Sequence, residues 1–111
     1  MKRGEVWTVA GANDYAGKPR PVVIIQDDRF DASASVTVCA FTTDTTEAPL
    51  FRIPVQPDPH NGLRTPSRLM ADKITTVPRT KLGARIGHLQ AEDMARLTRS
   101  IILFLNLSES A

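Results

Sequence analysis

Apolar and polar positions alternate in short runs along most of this chain, and the period changes once, near the C-terminus. Glu5 to Val9 (E-V-W-T-V) alternates residue by residue, the mark of a half-buried strand. Residues 10–19, AGANDYAGKP, hold two glycines, Asn13-Asp14 and a proline, which predicts a long loop. Val22, Val23, Ile24 and Ile25 then run without a polar interruption, and four branched residues in sequence suit a buried strand over 21–26. An Asp-rich turn, DDRFDASA, separates it from SVTVCAF at 35–41, where alternation returns. After the polar TTDTTEAP loop, Phe51, Ile53 and Val55 alternate with Arg52, Pro54 and Gln56. Pro54 has no N–H to offer, which marks this strand as a sheet edge. A PDPHNG turn leads to SRLMADKITTV at 67–77, one longer or bent strand, and 84–88 supplies a short last one.

Over AEDMARLTRSIILFL the period lengthens. Met94, Leu97, Ile101 and Leu105 fall on one helical stripe, widened by Leu103 and Phe104. Glu92 and Asp93 occupy the first turn, where carboxylates oppose the positive end of the helix dipole. Five or six short strands closed by one C-terminal helix predict a mainly β fold, an SH3-like barrel or curled sheet, in a single domain over 1–111.

Composition narrows the setting. With 111 residues, 41% of them hydrophobic, the chain buries a real but small core. The one cysteine, Cys39, excludes an internal disulfide and fits a reducing cytoplasm, the expected location. Between Val38 and Ala40 it reads as a small buried hydrophobe, not a nucleophile. The longest aliphatic-aromatic run, Ile101 to Leu105, is too short to cross a bilayer, and no apolar segment follows Met1-Lys2-Arg3, so neither a membrane span nor a signal peptide is expected. Net charge is +2, unevenly spread: residues 64–99 hold eight cations against three carboxylates, and the first 63 residues hold six against eight. A basic half on a nearly neutral chain suits a polyanionic partner, and equally a solvated surface.

Candidate chemistry concentrates at GKPRPVVIIQ. Pro19 and Pro21 hold Arg20 extended, and Pro21 belongs at the first position of its strand because it cannot donate to a ladder. A cation is thereby fixed at the mouth of a β-structure. An antiparallel hairpin turning near Asp31 sets Gln26 opposite Val36 and Arg20 opposite Thr42, with Cβ atoms about 5 Å apart. Thr43, Asp44, Thr45 and Thr46 crowd the same rim. A guanidinium beside a hydroxyl is a weak nucleophile set, because nothing nearby activates the hydroxyl. It is a good phosphate set: the guanidinium fork gives two parallel charge-assisted bonds and threonine adds a further donor. Cleavage of a phosphodiester through a ribose 2′-hydroxyl needs little else, since the substrate brings its own nucleophile and the protein stabilises the charge on phosphorus. No metal and no cofactor are expected: there is no Cys/His cluster, and the one dense carboxylate group is Asp27, Asp28 and Asp31 in a turn. The same spacing also fits an arginine paired with a carboxylate and a threonine that ends a strand.

Four segments together resemble a known family. RGEVW at 3–7, KPRPVVIIQDDRF at 18–30, SVTVCAFTT at 35–43 and SRLMADKITTV at 67–77 match the pattern of the MazF/PemK toxins over nearly the whole chain. The most specific piece is RPVVII-Q-D behind an RG-[DE]-V-W start, with the strand-Thr element a fixed distance on. The resemblance implies the toxin of a type II toxin–antitoxin module: a sequence-specific, metal-independent endoribonuclease with an SH3-like barrel of MazF/CcdB type. It implies a homodimer acting on single-stranded RNA, silenced by a MazE-type antitoxin that fills the RNA groove. It also implies Arg20 and Thr42 as the catalytic pair. Lys18 and Arg3 flank that site and Thr43 borders it, as RNA-binding candidates with plain surface residues as the alternative. Asp72 matches an aspartate that the plasmid branch uses, two positions after an arginine. Here Met70 stands at that arginine's position, and loop 10–19 lacks a histidine that some plasmid relatives carry, so the chromosomal MazF branch is the closer likeness.

His60 and His88 invite a two-histidine ribonuclease mechanism. One lies in the PDPHNG turn and the other just before the helix, neither matches a family site, and both read as solvated or packing residues. Trp7, the only tryptophan, suits base stacking by its face and the core by its alternating strand. Two non-cleaving readings stand beside the ribonuclease: a gyrase poison on the same fold, as in CcdB, and a barrel that binds nucleic acid or a partner without cutting. CcdB needs a tryptophan near its C-terminus, whereas this chain ends LNLSESA.

Overall fold

The uninterrupted run at 22–25 becomes the middle of the sheet. The computed structural model describes residues 1–10 and 19–107. Among these residues six strands, β1 (Glu5–Val9), β2 (Arg20–Ile24), β3 (Ser35–Thr42), β4 (Arg52–Val55), β5 (Ser67–Pro78) and β6 (Leu82–His88), are followed by one helix, α1 (Ala91–Leu105). All pairings are antiparallel, in the order β4-β5-β3-β2-β1-β6. β2 and β3 are buried on both faces. Val23, Cys39 and Phe41 pack with Val6, Leu69 and Leu97 on the helix side, while Val22, Ile24, Val36 and Val38 form a second cluster on the other. Two-sided burial explains why 22–25 admits no polar residue, each such side chain contributing about 1.5–3 kcal/mol. Arg20, not Pro21, opens β2, where it pairs with Val9. Pro21 is tolerated at the second position because pairing with β3 begins only at Val22.

The two sheet edges are β4, where Pro54 lies, and β6. The turn after β4 draws them together. His88 donates its N–H to the His60 carbonyl at 2.8 Å. At Gly87 an added Cβ would lie 2.2 Å from that same carbonyl oxygen, so only glycine lets the backbones meet. Asn61 is fully buried at this corner and satisfied, accepting from the Leu63 N–H (3.0 Å) and donating to the Gln56 carbonyl (2.9 Å). The sheet therefore curls toward the barrel predicted from its strand count.

α1 leans chiefly on β4 and β5. Leu97 is fully buried, Met94 and Ile101 are half-buried, and Asn106 ends the helix in the left-handed region at φ 55°. The predicted apolar stripe is buried only as far as Ile101. Leu103 is 59% exposed and Leu105 48%, because each borders an open groove between the last turn and the sheet instead of packing tightly against it. Among the described residues no helix is long and apolar enough to cross a membrane.

Candidate active site

β2 and β3 pair with Val22 opposite Ala40, Val23 opposite Cys39 and Ile24 opposite Val38. Continued two residues beyond Val22, this register brings Arg20 level with Thr42, the juxtaposition expected from the hairpin turn. Both belong to the face of Val22 and Ala40, opposite the helix, since residues two apart share a face. Arg20 is exposed and Thr42 half-buried.

On its other side β3 meets an irregular β5. Cys39 faces Ile74 but Phe41 faces Leu69, so three residues of β5 are extra over that interval. Such a bulge bends its strand and re-aims the side chains beyond it. Pairing resumes with Thr42 opposite Arg68, and Arg68 lies opposite Pro54 on β4. The row across this end of the sheet thus reads Val9, Arg20, Thr42, Arg68, Pro54.

Thr42 Oγ1 accepts the Asp44 N–H at 3.1 Å as the chain leaves the sheet. Asp44 accepts from the Thr46 N–H (2.9 Å) and the Thr46 hydroxyl (2.8 Å), bonds that hold its carboxyl below the usual carboxylate range. Arg68 ties this loop to the sheet: its guanidinium donates to the Asp44 carbonyl at 3.1 Å and to the Glu47 carboxylate at 3.0 Å. Thr43 is exposed within the same loop. Lys18 lies outside the described residues. In the sequence Arg68 is only one of the cations of the basic half; its place beside Thr42 depends on the β5 bulge, which no glycine or proline in LMADK announces.

Arg3 and Asp72 are not brought to this row. The Arg3 guanidinium donates to the Ile25 carbonyl and to Thr98 Oγ1 (2.7 Å), and the Arg3 backbone N–H donates to the Asp28 carboxylate (2.6 Å). Ile25 is five residues along from Arg20, roughly 16 Å at strand rise. Asp72 accepts both Arg52 Nε (2.8 Å) and Arg52 Nη2 (3.1 Å), and this pairing holds its carboxyl below the usual range. With Thr37, Ile101 and Phe104 it lines a groove of about 420 Å³ on the helix-bearing face. His60 and His88 meet at the barrel corner with ring centroids 5.4 Å apart and planes tilted by 37°. His88 pairs with Glu5, the end of β1 away from Val9 and Arg20. Trp7 is half-buried in the second cluster opposite Val22, its Nε1 donating to Glu5 at 3.0 Å. Burial pushes the Cys39 thiol up to about 12, so it is no nucleophile. Among the described residues, no three His, Cys, Asp or Glu side chains are grouped to hold a metal ion.

Residues 2–105 match the family described as PemK-like, MazF-like toxin of type II toxin-antitoxin system. A protein named probable endoribonuclease MazF, from Mycolicibacterium smegmatis, is 56% identical over 108 residues, covering 97% of this chain and 99% of the relative. The solved Mycobacterium tuberculosis toxin MazF-mt6 has a TM-score of 0.77 at 29% identity, over 96% of this chain and 99% of that one. An endoribonuclease in complex with its cognate antitoxin, from a mycobacterial species, shares the fold with a TM-score of 0.76 at 22% identity, covering 97% of each chain.

Proposed function

The chain belongs to the PemK-like, MazF-like toxins of type II toxin–antitoxin systems, and from that membership and the row of residues above we propose that it is a metal-independent endoribonuclease cutting single-stranded RNA at specific sequences. The observation that carries the mechanism is the shared level of Arg20 and Thr42 at an open end of the sheet. The ribose 2′-hydroxyl attacks phosphorus, the 5′-oxygen leaves, and the products carry a 2′,3′-cyclic phosphate and a 5′-hydroxyl. The Arg20 guanidinium neutralises the charge that grows on the phosphoryl oxygens. Thr42 Oγ1 already accepts the Asp44 N–H, which directs its own O–H outward as a donor to the same phosphate.

A MazE-type antitoxin is the proposed protein partner, supported by a structural neighbour solved with its cognate antitoxin. The working unit is a homodimer in the cytoplasm. The bare apolar end of α1 (Leu103, Phe104, Leu105 and Leu107) offers a surface for a second copy.

The test is incubation of the purified protein with a long single-stranded RNA in EDTA, and then mapping of the new ends. Site-selective cuts with cyclic phosphate and 5′-hydroxyl ends are expected, and Arg20→Ala abolishes them while its circular dichroism stays that of the wild type. Intact RNA with the wild-type protein points to a non-cleaving barrel. Cleavage retained in Arg20→Ala removes the mechanism.

A further inference from the structure

We propose that Arg68 is a second phosphate-binding cation of this site, and that Glu47 occupies it as a carboxylate stand-in which the RNA backbone displaces. This rests on the ribonuclease reading and extends it beyond the scissile phosphate. Arg68 is paired with Thr42, while Arg20 lies level with Thr42 on the opposite flank. Strands spaced about 4.8 Å apart put the two arginine backbones roughly 10 Å apart with the alcohol between them. Two cations bracketing one hydroxyl suit a strand of successive phosphates better than a single anion.

The burial of the two partners is lopsided. The Arg68 side chain is 18% exposed and that of Glu47 81%. The cation is built into the rim, and the anion rests on it from solvent. Arg68 also holds a second bond, from Nη1 to the Asp44 carbonyl at 3.1 Å, so its orientation persists when Glu47 leaves. The Nη2 edge now facing Glu47 at 3.0 Å is free to take a phosphate oxygen, which a guanidinium binds as it binds a carboxylate. Exposed ion pairs are weak, because water screens them and the long side chain must be immobilised. A phosphate arriving on a strand already held by Arg20 and Thr42 binds as a tethered second contact, at high effective concentration. Exchange of Glu47 for RNA is therefore favourable, whereas exchange for free phosphate is not.

The test uses the full-length protein and a fluorescein-labelled single-stranded RNA with 2′-O-methyl groups throughout, which keeps its phosphates and cannot be cut. Affinity is read by anisotropy over a range of salt for wild type, Arg68→Ala, Arg68→Lys and Glu47→Gln, with a melting curve for each. Glu47→Gln is expected to bind about two- to fivefold tighter at an unchanged melting temperature. Arg68→Ala binds roughly tenfold weaker and loses about 0.7 from the slope of log K against log salt, while Arg68→Lys keeps the slope. Should Arg68→Ala melt below the assay temperature, the Glu47→Gln affinity decides. Glu47→Gln binding no tighter than wild type, or Arg68→Ala keeping the full slope, overturns the proposal. Wild-type protein that cleaves RNA while these variants bind alike loses this inference and keeps the ribonuclease reading. Wild-type protein that neither cleaves nor binds loses both.

Discussion

Thr42 on β3 and Arg68 on β5 face each other directly across the sheet, although three residues earlier in β3 the partner of Cys39 is Ile74, six residues beyond Arg68. The bulge between these pairings bends β5 and sets the strand-end alcohol between two arginines. Removing only the hydroxyl tests what that placement does. Thr42→Val keeps the branched shape and takes away the donor. We expect the single-turnover cleavage rate to fall by about 100-fold or more, the scale of one lost oxyanion donor, while Tm falls by no more than about 4–8 °C from the lost acceptor of the Asp44 N–H. Thr42→Ser, which keeps the hydroxyl, should retain most of the rate. A fast Thr42→Val enzyme would leave Thr42 as no more than the end of a strand.

Arg3 gives the contrasting case. Its guanidinium joins the Ile25 carbonyl to Thr98 on α1, and its N–H meets Asp28, so it ties the N-terminus to both the sheet and the helix. Arg3→Ala should lower stability by on the order of 1 kcal/mol, or about 4–8 °C in Tm for a domain of this size, with cleavage unchanged at 25 °C. Lost cleavage at an unaltered Tm would return Arg3 to the RNA-binding surface.

The features legible in the sequence were local, and those that were not depended on distant partners. The apolar run at 22–25, the Asp-rich turn and the alternation at 35–41 together carry the β2–β3 register, and with it the level of Arg20 and Thr42. Pro54 marks the edge strand correctly for a stated reason, its missing N–H. SRLMADKITTV admits a bend, but its irregular apolar spacing does not say where the β5 bulge falls or how many residues it holds. Arg68 just before that bulge and Asp72 within it both take their surroundings from it: the sequence shows one only as a cation of the basic half and the other only as a match to a family aspartate. Asp72 instead meets Arg52, 20 residues away, through the pairing of β4 with β5. Leu105 carried the right period, but periodicity does not say whether a helix end closes tightly on the sheet or leaves a groove.

Gly87 is a prediction about the barrel corner. A Cβ there would sit 2.2 Å from the His60 carbonyl oxygen and 2.7 Å from the Asn61 carbonyl carbon, both backbone atoms that cannot swing aside. Gly87→Ala must push the 57–62 turn off β6, costing about 1–3 kcal/mol by analogy with overpacked cores. Urea denaturation should show a lower midpoint at a similar slope. An unshifted midpoint would mean that this corner is looser than its contacts imply.

The Arg52–Asp72 pair yields a pH dependence with a definite sign. Both side chains are largely buried, 13% and 16% exposed, and the two bonds of 2.8 and 3.1 Å make the contact bidentate. The Arg52 hydrogen bonds hold the Asp72 carboxyl below its ordinary value, so the unfolded chain takes up a proton at higher pH than the folded one. The stabilisation is therefore complete above the unfolded value near 3.9 and drains away as pH falls through it toward the folded value. Asp72→Asn removes the charge while keeping the shape. At pH 7 this should cost on the order of 1 kcal/mol, lowering Tm by about 4–8 °C. As pH falls from about 5 to 3 the wild-type curve should drop toward that of the variant and the gap should narrow, since the unfolded chain takes up its proton first. Paired melting curves at pH 7, 5, 4 and 3 read this directly. A gap that stays constant across the series would assign the loss to the packing of the amide in its groove and leave the ion pair with no net contribution.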